Sequence, residues 1–197
     1  MNTQLLEIIN QLKNRPQLQA LTPKHIWNTE LESGIIALKL TKQSTNKEAI
    51  ALMAGLHLWN DSLDTSHSYA QEIEGDETGS YWHAIMHRME QDYANSKYWF
   101  RRAYHHPVKD STQTKAADLL IQQAQLDSLP PSQIVKSLKQ FRDQISWNCD
   151  DFVDLIKLQE SGQGSEDTRQ LLEQLQHIEL KELFDYSYEA MQKSPPA

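Results

Sequence analysis

Apolar residues recur at spacings of three and four along nearly the whole chain, and no sustained apolar/polar alternation interrupts them. With only 6 glycines in 197 residues, that periodicity leaves little room for strands or long irregular loops. It predicts an all-α fold of eight to ten helices, an antiparallel helical bundle or a stack of helical hairpins. Residues 1–192 read as a single domain and 193–197, ending Ser194-Pro-Pro-Ala, as a frayed tail.

Boundaries follow from caps and breakers. Leu5, Ile8, Ile9 and Leu12 give a short amphipathic helix that stops near Pro16. Thr22-Pro23 starts a second, carrying Ile26, Trp27, Leu31, Ile35 and Leu38, with Gly34 as a break point. Asn46 caps a long helix from about Lys47 toward Ile73. A loop spans 74–80. The next helix starts near Tyr81, with Trp82, Ile85, Met86, Met89 and Tyr93 as its stripe, and another runs to His105 before Pro107. Helices follow over about 116–126, from Ser132 to Ile145 and over 150–159. Ser165 caps one carrying Leu171, Leu172 and Leu175, and a last one covers 180–191. Trp27, Trp147 and Phe152 read as core anchors.

Charge narrows the partners. With 19 basic against 27 acidic residues the formal charge is −8, which opposes any general affinity for nucleic acid or anionic membrane. Cys149 is the single cysteine, so no intrachain disulfide forms and a reducing compartment is the default. The N-terminal segment lacks signal-peptide features and no 18-residue apolar run exists. A cytoplasmic protein is the expectation.

Residues 57–107 stand apart. They hold six of the eight histidines, His57, His67, His83, His87, His105 and His106, together with Trp59, Trp82 and Trp99. No Lys or Arg occurs from 48 to 87, after which Arg88, Lys97, Arg101 and Arg102 arrive together. At 100° per residue with Trp82 at the origin, Glu90, His83 and His87 fall at about 80°, 100° and 140°, one shoulder beside the core stripe. His67 lies near a similar polar shoulder that carries His57, Asp61 and Asp64 on the preceding helix. If the two helices pack antiparallel, His67, His83 and His87 meet, with carboxylates from Asp61, Asp64, Glu72 or Glu90. Neutral imidazoles with carboxylates suit a divalent transition metal, and helical bundles build such sites from facing helices. In this reading His83, His87 and His67 are metal ligands, while Glu90, His67 and Asp64 are the acid/base candidates. Arg88, Arg101, Arg102, His106 and Trp82 would hold a small anionic ligand.

Each feature has a plainer reading. His83-Ala-Ile-Met-His87 is an HxxxH pair without the zincin glutamate, since Ala84 stands there. A buried network of hydrogen-bonded imidazoles would carry the same pattern. The basic cluster could be a solvated face pairing with Glu90, Asp92 and the 72–77 loop. A protein partner is the other open possibility.

Two resemblances bear on this segment. AIMHRMEQDYANSKYWFRRAYHHP (84–107) is similar to a single tetratricopeptide or Sel1-like hairpin, with Asp92-Tyr93 at the turn, Ser96 and Ala103 at the small positions and Phe100 at the aromatic one. It implies a helical interaction module as the alternative function. The strings LHLWNDSLDTSHSYAQEIE (56–74), GSYWHAIMHRMEQDYANSKYWFRRAYHHPV (79–108), DDFVDLI (150–156) and ELKELFDYSYEAM (179–191) resemble a family of uncharacterised proteins. That family carries a SYWHGIMHRRE…DYxNAKYWFRR…HPV signature, from which Ala84, Met89, Ser96 and His105 depart. No activity comes with the resemblance; it implies only that 57–107 is the characteristic part.

Overall fold

In a computed structural model, the described residues are 3–38, 40, 46–122 and 125–194. They form eleven α-helices and no strand: α1 (Thr3–Lys13), α2 (Thr29–Ala37), α3 (Lys47–Trp59), α4 (Leu63–Glu72), α5 (Glu77–Met89), α6 (Tyr93–Arg102), α7 (Val108–Gln122), α8 (Gln125–Ser128), α9 (Gln133–Arg142), α10 (Cys149–Leu158) and α11 (Glu166–Lys193). The all-α expectation holds. Residues 123–124, inside the helix expected over 116–126, and the 195–197 tail lie outside the described residues.

Several boundaries differ from those read in the sequence. The long helix expected from 47 to 73 is two helices, because Asp61 takes a left-handed backbone (φ 63°) and turns the chain. An apolar stripe does not register a one-residue turn; only the Asn60-Asp61 pair, tolerant of that conformation, signals it. The expected 74–80 loop is shorter, since Asp76 caps α5 by accepting from the Thr78 and Gly79 N–H groups. Gly34 sits inside α2, which begins after the Asn28 cap rather than at Thr22-Pro23. Helix α11 joins the two C-terminal helices into 28 residues, as no breaker stands between Leu175 and Leu180.

Helices α3–α4 and α5–α6 are two copies of one hairpin, thirty residues apart. Asp61 and Gln91 (φ 69°) make the same left-handed turn. The Ser62 N–H donates to the His57 carbonyl at 2.9 Å, as the Asp92 N–H does to that of His87 at 2.9 Å. Ser66 Oγ donates to the Ala54 carbonyl at 2.9 Å, and Ser96 Oγ to that of Ala84 at 2.8 Å. The sequence displays one hairpin of this kind. The first copy escapes notice because its conserved geometry rests on small and polar residues while most side chains differ.

Helix α11 packs along α3 and α7 and closes the open side of the hairpin pair. Trp59 meets Phe184 edge-on at 4.8 Å, and Trp82 Nε1 donates to Ser187 Oγ at 3.1 Å. The carboxylate of Glu179 is wholly buried. It accepts from Tyr81 Oη at 3.0 Å and Trp147 Nε1 at 2.7 Å and pairs with Arg88 at 2.6 Å. A buried charge of this kind is tolerated only when paired and hydrogen-bonded. Trp147 and Phe152 are core residues as expected, whereas Trp27 is half-buried beneath the Arg15 guanidinium.

Candidate metal centre

Helix α5 presents His83 and His87 one turn apart, and α4, packed beside it, presents His67. One potential ligand atom from each lies within 4.8 Å of the others. The His67 ring centroid is 4.6 Å from that of His83 and 5.2 Å from that of His87, and the His83 and His87 rings stack at 4.8 Å. Trp99 of α6 forms the wall, parallel to the His83 ring at 4.1 Å. His83 and His87 are buried and His67 is half-buried, at the rim.

This cluster is not satisfied by hydrogen bonds. Both ring nitrogens of His83, and Nδ1 of His87, are buried without a hydrogen-bond partner. Glu90, at the end of α5, brings Oε2 to 3.4 Å from His87 Nδ1, long for a strong bond. Burial, with neighbouring His87 and His67, pushes the His83 imidazole down to about 3; burial and His67 lower that of His87. Both rings are therefore neutral near pH 7, the form that ligates a metal. Burial raises the Glu90 carboxyl, against the pull of His67 and with help from Asp64 and Asp92.

The first hairpin supplies an internal comparison. His57 occupies the position equivalent to His87. There Nδ1 lies 2.7 Å from Glu32 Oε1 of α2, Asn60 Nδ2 donates to Glu32 Oε2 at 2.8 Å, and Tyr69 stacks on the ring at 5.3 Å. In one repeat the imidazole meets a carboxylate. In the next it meets two more imidazoles, with Glu90 only at 3.4 Å, and no N–H···N bond forms at either nitrogen of His83 or at Nδ1 of His87. Three imidazole nitrogens suit Zn and other divalent transition metals. Zn–N bonds of about 2.0–2.1 Å place tetrahedral ligands about 3.4 Å apart, so the three rings would each close by less than about 1 Å.

Comparison with protein-family models, with curated proteins and with solved structures finds no match to this chain.

The other candidate residues scatter. Asp64 is exposed and acts on Glu90 only through its field. Asp61 is bound to Arg15 at 2.7 Å. Arg88 lies in the core against Glu179 and over the Phe152 ring at 4.8 Å, and Trp82 is bound to Ser187. Arg102 lies over Trp99 at 5.2 Å and donates to the Glu74 carbonyl at 3.2 Å. Arg101 and His106 line a separate cavity near α10. The basic cluster thus turns largely toward α10, where Lys97 meets Asp154 at 2.7 Å and Arg101 faces Asp150. The sequence reading missed Trp99 as the wall of the histidine site. Its equivalence to Tyr69, thirty residues earlier, is the signal that would have found it.

Proposed function

We propose that His67, His83 and His87 form a divalent transition-metal centre, with zinc the first candidate. The observation that carries this is the contrast between the two hairpins. The imidazole of His57 has a carboxylate at Nδ1 and only its Nε2 unpartnered, whereas both ring nitrogens of His83 and Nδ1 of His87 are buried without a hydrogen bond. Leaving such groups unpaired costs on the order of 1–3 kcal/mol each. A metal would take up their lone pairs.

Three protein nitrogens with a half-buried rim correspond to a site with an open position rather than a closed structural one. A metal there would act as a Lewis acid or lower the pKa of a bound water. Glu90 beside His87 can orient that ring or accept a proton; its raised carboxyl suits exchange nearer neutral pH. Elemental analysis of protein prepared without chelator tests the reading. It predicts about one equivalent of transition metal, lost from the His83→Ala/His87→Ala double variant. A metal-free protein whose melting ignores divalent zinc, manganese, iron and nickel would sink it.

The tandem hairpin favours a second reading, a helical interaction module. Against it, α11 already packs along α3 and binds Trp82 and Arg88 of α5. Capture of a specific partner that survives loss of the three histidines would support this alternative.

A further inference from the structure

A cavity of about 750 Å³ opens where the end of α6, the start of α7 and the start of α10 meet. Its size falls in the range of about 300–1,000 Å³ usual for small-molecule sites. It shares no lining residue with His67, His83 and His87, so the two readings stand or fall separately.

The walls are polarised. On the α6–α7 side stand Arg101, His105 and Lys109. Arg101 is 70% exposed and its contact with Asp150, at 3.7 Å, is too long for a hydrogen bond. His105 is exposed and has only an edge-on ring contact with Tyr104, at 4.8 Å. Lys109 Nζ donates to the Tyr104 carbonyl at 3.0 Å, which leaves further N–H bonds to give. On the α10 side, Asp151 is taken up by Asn148 and Gln144, at 2.7 and 3.1 Å, while Asp110, on α7 beside Lys109, is taken up by the Ser146 hydroxyl at 3.2 Å. Asp150 has only the long Arg101 contact. The lining also includes the exposed ring of Tyr104, with Phe100 and Trp147 buried behind it.

Cationic donors on the α6–α7 side, a carboxylate on the α10 side held only by a long ion pair, and the exposed Tyr104 ring describe a dipolar ligand with an apolar body. With three aspartates against two fixed cations, a simple anion fits poorly. Cys149 also lines the cavity, but burial pushes its thiol up to about 12, so it is no nucleophile at neutral pH. We propose that this cavity binds a zwitterionic short peptide or amino acid. Its carboxylate would lie at Arg101 and Lys109, its ammonium at Asp150 and its side chain against the exposed ring of Tyr104.

Calorimetric titration of the full chain with glycyl-L-phenylalanine, its N-acetyl form, its C-terminal amide and inorganic phosphate tests this. The expected result is binding of the free dipeptide, weakened about tenfold or more by blocking either end. Arg101→Gln should weaken the free dipeptide but leave the amide unchanged, and Asp150→Asn should do the same toward the acetylated form. Both substitutions are at partly exposed positions, and an unchanged melting temperature confirms the fold. Equal binding of the N-acetyl form, binding of phosphate alone, or no heat with any probe at millimolar concentration would each overturn the proposal.

Discussion

At the residue scale, two positions show how local chemistry sets stability. Gln91 holds φ 69°, a conformation that costs a side-chain-bearing residue about 1 kcal/mol relative to glycine. Gln91→Gly should raise unfolding stability by a few tenths to about 1 kcal/mol, measured by urea denaturation, since the residue is exposed and its one side-chain bond, to Glu160, is 3.4 Å long. No change or a loss would mean that the Glu160 contact outweighs the strain. His106 contributes to the pH dependence, beside the lowered His83 and His87. It is buried, its Nε2 lies 3.1 Å from Thr78 Oγ1, and it faces Tyr81 and Tyr186. Burial lowers its pKa from 6.5 to about 4, with Lys109 adding to the fall and Asp76 opposing it. The unfolded chain therefore binds the extra proton first. Stability should fall as pH drops from about 6.5 to about 4. A His106→Gln variant, compared by urea denaturation of metal-free protein at both ends of that window, should show a shallower fall.

At the scale of elements, the approach of α3 to α5 depends on Gly55. A Cβ there would sit 2.6 Å from Cζ2 of Trp82, whose ring is fully buried and held by Ser187. Gly55→Ala should cost about 1–3 kcal/mol by overpacking, read as a lower melting temperature. A neutral effect would show that the two helices can slide apart. Much of this level was legible in the sequence. The Asn46 and Ser165 caps and the Ile85/Met86/Met89 stripe appear where their spacing placed them. The breaks were harder. Asp61 turns the chain with one left-handed residue inside an unbroken apolar rhythm, and the first hairpin hides because its equivalence to the second lies in backbone bonds and two serines.

At the scale of the molecule, the helical hairpins and α11 bring three histidines together while withdrawing other candidates. Helical phase placed His83 and His87 on one shoulder and turned His67 toward them, so that pairing was legible. It could not show that Arg88 would be withdrawn to Glu179, because that contact joins residues ninety-one apart through α11. Nor could it single out Trp99, whose role depends on α6 folding back over α5. Among the described residues no helix is long and apolar enough to cross a membrane.

The most direct test of the metal centre is calorimetric titration of zinc into the metal-free chain near pH 7.5. The account predicts one site, weakened at least tenfold by His67→Ala, His83→Ala or His87→Ala and unchanged by His105→Gln, an exposed histidine outside the cluster. Absence of a saturable site, or a site equally indifferent to all four substitutions, would contradict it.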